Sequence, residues 1–359
     1  MTSKKQDIFF ADNDTFDKMC EAILTQISNN DAVMKITFFN NPGSNSQYIE
    51  NLQTINTKIK ERFNGEAPLI AYVAQPCATA SMAAEVTYMP QCDSYERCDG
   101  YTILHYRNSC EIITKGITAA NPNDSIRKQS EEIFATLDAI LSRHEFTISD
   151  IYRQWNYIEQ ITSIHNERQN YQEFNDARSR YYNRASWENG YPAATGIGTS
   201  FGGVMVEVCA MKGETDNYPI DNPVQISAHS YSQKVLTGKS DEAERTTPKF
   251  ERARLVGDTV YISGTAAIKG EESLSLDNAV AQTAETMQII KHLTSAENLP
   301  GNKATEYTLL RTYIKNNNDA PEVIKYMEKN YPAVAKHYLI ADVCRPELLI
   351  EIEGTAIVK

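Results

Sequence analysis

The feature that most constrains the fold of this chain is a repeat. In DSIRKQSEEIFATLDAILSRHEFTISDIYRQWNYI, residues 124–158, Ile126, Ile133, Leu137 and Ile140 recur at sevens, fours and threes, laying one apolar stripe along a helix. Asp124 stands where an N-cap belongs, and a strand-like run from Ile151 to Ile158 follows. In DNAVAQTAETMQIIKHLTSAENLPGNKATEYTLLRTYI, residues 277–314, the stripe returns as Val280, Met287, Ile290 and Leu293. Asp277 takes the place of Asp124, Gln282 that of Gln129, and Tyr313-Ile314 that of Tyr157-Ile158. Both passages continue through a second helical segment, near 167–182 and 320–329, to the same three letters, Tyr-Pro-Ala, at 191–193 and 331–333. Each then closes in an alternating apolar strand, GGVMVEVCAM at 202–211 and ELLIEIEGTAIV at 347–358.

A unit of strands, helix, strand, helix and strand buries its apolar faces by packing the helices on a mixed sheet, so the expected class is α+β. The second copy opens with the hairpin ERARLVGDTVYISGTAAIKG, turning at Gly257-Asp258. The opening of the first copy falls around EVTYMPQC (85–92) and GYTILHYR (100–107), and residues 1–66 read as two further strand–helix pairs. The expected division is 1–215, a degenerate first copy with an α/β extension ahead of it; 216–249, an ordered linker; and 250–359, the second copy. Within the linker VQISAHSY (224–231) alternates like a strand.

Charge excludes some partners. With 35 Lys and Arg against 47 Asp and Glu the net charge is −12, which argues against nucleic acid or an anionic membrane and leaves room for a small anion met by a few local arginines. No segment approaches the roughly 18 apolar residues of a membrane span, and MTSKKQDIFFADND lacks a signal-type apolar stretch, so a cytoplasmic protein is expected. Seven cysteines are scattered without pattern, Cys92 and Cys98 enclosing five residues, and reduced thiols are expected. Six histidines show no HxH or HExxH spacing, GIGTSFGG (196–203) lacks the lysine of a phosphate loop, and no GxSxG occurs. Neither metal nor cofactor is implied.

RQWNYI (153–158), FNDAR (174–178), YPAATGIG (191–198), NPVQISA (222–228), ISGTA (262–266) and CRPELLIEIEG (344–354) occur in an order that resembles the chorismatase family. VYISGTAAI, LLRTYI and ADVCRPELLIEIEGTAIV make the second copy similar to the RidA/YjgF fold, and the first is similar to a degenerate version of it. The resemblance implies two tandem RidA/YjgF-like (chorismate-mutase-like) domains, no cofactor, and release of pyruvate from chorismate. It further implies one of two products, 3-hydroxybenzoate or a dihydroxycyclohexadiene carboxylate. Cys344 together with Gly264 resembles the 3-hydroxybenzoate branch; as a bare observation Cys344 reads equally as a core thiol. RidA proteins are trimers with sites between subunits, so a monomer and a homotrimer are both consistent, with the pocket near the junction of the copies. A RidA-type imine or enamine deaminase is the alternative, although YPAVAKHY (331–338) lacks the arginine those enzymes use. Tyr231-Ser232-Gln233 departs from the family's Tyr-Pro-Arg, which keeps a non-catalytic ligand-binding member in view.

Cleaving an enolpyruvyl ether starts with a proton delivered to the enol methylene, and a carboxylic acid can deliver it near neutral pH only from apolar surroundings. Glu351, among leucines and isoleucines on an inner strand, is the candidate acid, and Glu353 on the same face would raise its pKa by repulsion. The alternative is a solvent-facing pair. Two substrate carboxylates call for arginines: Arg153, Arg178, Arg311, which interrupts the apolar TLLRTYI, and Arg345, each with a surface salt bridge as its alternative. Gln225 and Tyr231 offer neutral hydrogen bonds or structural ones. Thr195 and Gly196, where the copies diverge after Tyr-Pro-Ala, form a candidate pocket wall with backbone amides for a carboxylate, or else a tight turn.

Overall fold

The computed structural model describes residues 4–28, 32–240, 244–274 and 277–359. Three sheets carry the chain, and they are built to one plan. The first unit runs β1 (Gln6–Ala11), α1 (Phe16–Gln26), β2 (Val33–Asn40), α2 (Asn45–Phe63), β3 (Leu69–Ala74) and β4 (Met82–Tyr88), with strand order β1-β4-β2-β3. The middle unit has β5 (Ser94–Cys98), β6 (Tyr101–Tyr106), β7 (Ser109–Thr114), β8 (Ile117–Thr118), α3 (Ile126–Arg143), β9 (Ile151–Glu159), the small pair β10 (Ile164–His165) and β11 (Arg168–Gln169), α4 (Asn170–Tyr182), β12 (Ala193–Thr199) and β13 (Val204–Gly213). Its order is β12-β9-β13-β7-β6-β5. The last unit has β14 (Asn217–Ile220), β15 (Ala253–Val256), β16 (Thr259–Thr265), the pair β17 (Ile268–Lys269) and β18 (Glu272–Ser273), α5 (Ala279–Leu293), β19 (Thr305–Ile314), α6 (Ala320–Asn330), β20 (Ala335–Ile340) and β21 (Ile350–Val358). Its order is β14-β15-β16-β21-β19-β20.

In each unit the strand after the first helix pairs parallel with the strand after the second, β2 with β3, β9 with β12, β19 with β20. Its other edge pairs antiparallel with the closing strand, β4, β13 or β21. Both Tyr-Pro-Ala stretches sit where the second helix hands over to the parallel edge strand. The mixed α+β class follows, and the repeat occurs three times rather than twice. EVTYMPQC belongs largely to β4, which closes the first sheet, and the opening hairpin of the middle unit is β6–β7. The extension is therefore a unit of its own. Its repeat escapes a search keyed to Tyr-Pro-Ala because α2 hands over to β3 through FNGEAP (63–68) instead.

One face of each sheet takes two helices. Phe38, Ile36 and Val86 pack under α1 and α2; Ile133, Phe134 and Phe174 join α3 and α4 to the middle sheet; Met287, Ile290 and Met327 do the same for the last. The opposite faces meet one another, where Phe39, Val73, Tyr157, Ile197, Tyr313 and Leu339 form one shared cluster. Strands covered on both sides lose the polar alternation of a half-exposed sheet: all eight residues of β2, VMKITFFN, are buried.

Charges on the shared faces form a cycle. Register places Glu85 opposite Thr37, Glu207 opposite Trp155 and Glu353 opposite Arg311, the same site in each unit. Lys35 of the first unit pairs with Glu207 of the middle one, Arg153 of the middle with Glu353 of the last, and Arg311 of the last with Glu85 of the first, at 2.7 Å. Each buried carboxylate is thus met by a cation from the preceding unit, as burial of charge requires.

Three local expectations shift. The N-caps are Ser125, whose Oγ accepts from Lys128 N, and Asn278, whose side chain accepts from Ala281 N, one residue beyond Asp124 and Asp277. VQISAHSY is not a strand: it carries a short 3-10 helix at Ala228–Ser230, and Gln225 makes a single bridge to Gly270. Within the expected linker, Asn217–Ile220 is an edge strand of the last sheet, paired to β15.

Candidate active site

The middle and last sheets meet along β12 and β16. Ser263 Oγ accepts from Ala194 N at 2.9 Å, and Thr195 Oγ1 accepts from Gly264 N at 3.0 Å. Over this seam lies a pocket walled by Ala194 and Gly196 of β12, Gly264 of β16, Tyr171 and Asn175 of α4, the crossing segment at Tyr231, Val235–Thr237 and Pro248–Arg252, and the turn bearing Cys344, Arg345 and Leu348. Glu351 of β21 forms its floor.

Glu351 is 5% exposed and has no hydrogen-bond or ion-pair partner among the described residues. Burial first, then the charge of Glu353, push its carboxyl up to about 8, against the opposing pull of Arg153. It is held as an acid. Its fit depends on Gly264, because a Cβ there would stand 2.1 Å from Glu351 Oε1 and 3.1 Å from Thr195 Cγ2. The threefold plan separates the two glutamates. The counterparts of Glu353 are Glu85 and Glu207, whereas the position two residues earlier holds Ala83 in β4 and Met205 in β13, both in the shared apolar cluster. Glu353 belongs to the scaffold; an acid at 351 occurs in one unit of three.

Two buried arginines at this pocket lack a carboxylate partner among the described residues. Arg252, 3% exposed, donates to Ile226 O and, at 2.7 Å, to Tyr231 OH, and its Nε has no partner. Arg178, 2% exposed, sits behind Asn175, donating to its Oδ1 at 2.6 Å, with Nε likewise unpartnered. Tyr231 lies between two guanidiniums, Arg345 at 5.2 Å and Arg252 at 5.4 Å from its ring centre. Arg345 donates to Glu271 O at 2.8 Å and Ser273 Oγ at 3.1 Å. An uncompensated buried cation is costly unless an anion joins it, so this pocket suits a polycarboxylate. Burial and the neighbouring Glu351 push the Cys344 thiol up to about 12, leaving it a neutral, space-filling group rather than a thiolate.

Of the expected residues, Glu351, Cys344, Arg345, Tyr231, Gly264 and Gly196 line the pocket, Arg178 backs it, and Thr195 borders it. Arg311 and Arg153 do not reach it: their guanidiniums are spent on Glu85 and Glu353 in the axial cycle, so the charge inside TLLRTYI finds its partner in the protein. Gln225 is structural, donating to Ile268 O at 3.2 Å and accepting from Asn222. Residues 193–199 form a strand rather than a turn, and the amides of Ala194 and Gly198 are taken by Ser263 Oγ and Asp342 O, so they offer no anion nest. Arg252 was not anticipated. Its signal is the period-two FERARL, where Arg252 and Arg254 interrupt an apolar hairpin as Arg311 interrupts β19; Arg254 is spent on the carbonyls of Asn189 and Tyr191. His337 of YPAVAKHY is fully buried beside Glu85, away from the pocket.

Among the described residues no group of three or more His, Cys, Asp or Glu could hold a metal ion, and no helix is long and apolar enough to cross a membrane. All seven cysteines are free.

The family described as "Chorismatase FkbO/Hyg5-like, N-terminal" matches residues 96–210. The chain is 28% identical over 242 residues to a 3-hydroxybenzoate synthase of Streptomyces hygroscopicus, covering 65% of this chain and 70% of that one. It is 26% identical over 217 residues to a chorismatase of Streptomyces rapamycinicus, covering 56% and 62%. A crystal structure of a chorismatase superposes with a TM-score of 0.73 over 99% of both chains at 18% identity, a likeness of fold.

Proposed function

The chain belongs to the chorismatase family, and from that premise we propose that it removes pyruvate from chorismate at the pocket around Glu351. One observation carries the reading: a buried carboxyl held as an acid shares a pocket with Arg252, a buried guanidinium with no carboxylate of its own, and a second such guanidinium, Arg178, backs that pocket behind Asn175. Chorismate brings two carboxylates and an enol ether, which are the complementary groups.

Glu351 gives its proton to the enol methylene. The π electrons form the new C–H bond, positive charge develops at the ether carbon, and the carbon–oxygen bond to the ring breaks as pyruvate departs. Arg252 holds a carboxylate, Arg178 adds positive charge from behind Asn175, and Arg252 also orients the Tyr231 hydroxyl, whose own hydrogen is left to donate to the substrate. Desolvation in the pocket strengthens each of these contacts.

The product is 3-hydroxybenzoate. Pyruvate and 3-hydroxybenzoate together account for every atom of chorismate, so this branch consumes no water: the ring hydroxyl attacks the carbon that loses the ether and returns its proton to Glu351, its former carbon–oxygen bond then opens, and the ring proton lost as aromaticity is restored passes to the freed oxygen. Gly264 and Cys344 both line the pocket and leave the room this needs, and the similarity to a 3-hydroxybenzoate synthase supports it. Incubation of the purified protein with chorismate, with products identified by mass spectrometry, should give equal amounts of pyruvate and 3-hydroxybenzoate. A non-aromatic diol would sink the branch, and intact chorismate would sink the activity.

A further inference from the structure

The pocket acid and the axial ion-pair cycle are joined through Glu353. Its Oε2 accepts from Arg153 Nη2 and Thr195 Oγ1, and its Oε1 from Arg311 Nη1 at 2.6 Å and Tyr313 OH at 2.8 Å. Thr195 Oγ1 already accepts from Arg153 Nη2 at 2.9 Å and Gly264 N at 3.0 Å, so its own hydrogen points to Glu353. Four donors converge on one carboxylate, and no site is left on it for a proton. Glu353 is 2% exposed, so water screens this charge poorly.

Glu351 stands two residues along the same face of β21. The other ionisable groups near it are Tyr313 opposite on β19, Arg153 from β9, Tyr171 from α4, Cys344 and Arg345 from the turn, and Tyr231 and Arg252 from the crossing segment. β12 and β16 present uncharged Gly196, Thr195 and Gly264. Arg153 is the cation that opposes the rise at Glu351, and its guanidinium is taken by Glu353 and Thr195.

We propose that Glu353, fixed as an anion by Arg153, Arg311, Thr195 and Tyr313, is the positioning residue that keeps Glu351 in its acid form, by repelling its ionisation and by occupying Arg153. The inference deepens the reading of Glu351 as the proton donor and rests on it. The scaffold explains its origin: every unit carries an axial glutamate, and in the last unit an acid was placed beside a charge that packing already required.

The test reads protonation directly and needs no turnover. The carbonyl stretch of protonated Glu351, identified by its loss in Glu351→Gln, is followed against pH by infrared difference spectroscopy. Glu353→Gln removes the repulsion and frees Arg153, so the Glu351 midpoint should fall by about one pH unit or more. Arg153→Met removes the opposing cation, so the midpoint should rise. Glu353→Asp keeps the charge and should stay near the parent value. Loss of packing alone would not move the first two in opposite directions. An unchanged midpoint in Glu353→Gln, or shifts of the same sign in both, overturns the proposal; should Glu353→Gln not fold, a midpoint in Arg153→Met that fails to rise overturns it by itself. Chorismate turnover is measured in parallel: midpoints that move as expected in a protein that leaves chorismate intact uphold the coupling and refute the activity.

Discussion

Glu351 and Glu353 share a face of one strand, yet their neighbours send them to opposite protonation states. Burial raises both; for Glu353 the Arg311 and Arg153 guanidiniums outweigh it and hold the carboxyl below the ordinary carboxylate value, whereas Glu351 has no such partner. Two consequences can be measured for Glu351→Gln. Pyruvate release should fall by at least about a thousandfold, the cost of losing the proton donor. Stability should rise. A carboxyl whose folded pKa is about 8 against 4.5 when unfolded favours folding most below 4.5, and that contribution is lost as pH climbs through about 8. The glutamine variant lacks this loss, so denaturant titration should show it gaining over the parent from about pH 4.5 to about 8, by roughly 3 kcal/mol near pH 7. Activity itself should fall as pH rises through about 8, where the acid form empties. Gly264→Ala presses on the mobile end of the Glu351 side chain rather than on backbone. The acid should turn aside while the fold survives, and turnover should drop at least about tenfold with little change in melting temperature.

At the scale of elements, the pocket roof depends on the crossing segment between the middle and last sheets. Arg245 ties that segment to itself: its backbone N donates to Gln233 Oε1 at 2.9 Å, Gln233 Nε2 returns a bond to Arg245 O at 2.9 Å, and its guanidinium donates to the carbonyls of Gln233 and Gly238. Asp176 of α4 anchors the far side by accepting from Thr246 Oγ1 at 2.6 Å and Ser240 Oγ at 2.9 Å. Val235–Thr237 hang over the pocket between these ties. Arg245→Ala should therefore raise KM for chorismate several-fold more than it lowers kcat, with faster amide exchange confined to residues 232–240. The helices were legible because their apolar stripes face one sheet each. The crossing segment was not, because VQISAHSY alternates for a reason unrelated to strand pairing: Ala228 and Tyr231 are buried in the seam while His229 and Ser230 lie further out.

The whole molecule closes through the cycle of Lys35 to Glu207, Arg153 to Glu353 and Arg311 to Glu85. Removing Arg311 strands buried charge on two carboxylates, Glu85 and Glu353. Arg311→Met should cost about 3–5 kcal/mol by denaturant unfolding, and adding Glu85→Gln should recover part of that, since Glu85 is pulled down to about 2 chiefly by Arg311 against burial. Additive losses in the double variant would show that the two do not act as a pair. The repeat was readable for two units, where Tyr-Pro-Ala and matched stripes coincide. The first unit shares the topology without the letters, since a sheet flanked by two helices is specified by burial pattern rather than by particular residues.

By itself the sequence determined the α+β class, the two later units and a buried glutamate at 351, because hydrophobic period and a glutamate among isoleucines are local properties of the chain. Tertiary structure decided which arginines are free. Arg153, Arg178, Arg252 and Arg311 read alike in sequence, and a guanidinium is available to a ligand only where no carboxylate from another unit has already reached it, a matter of contacts across residues as distant as 311 and 85.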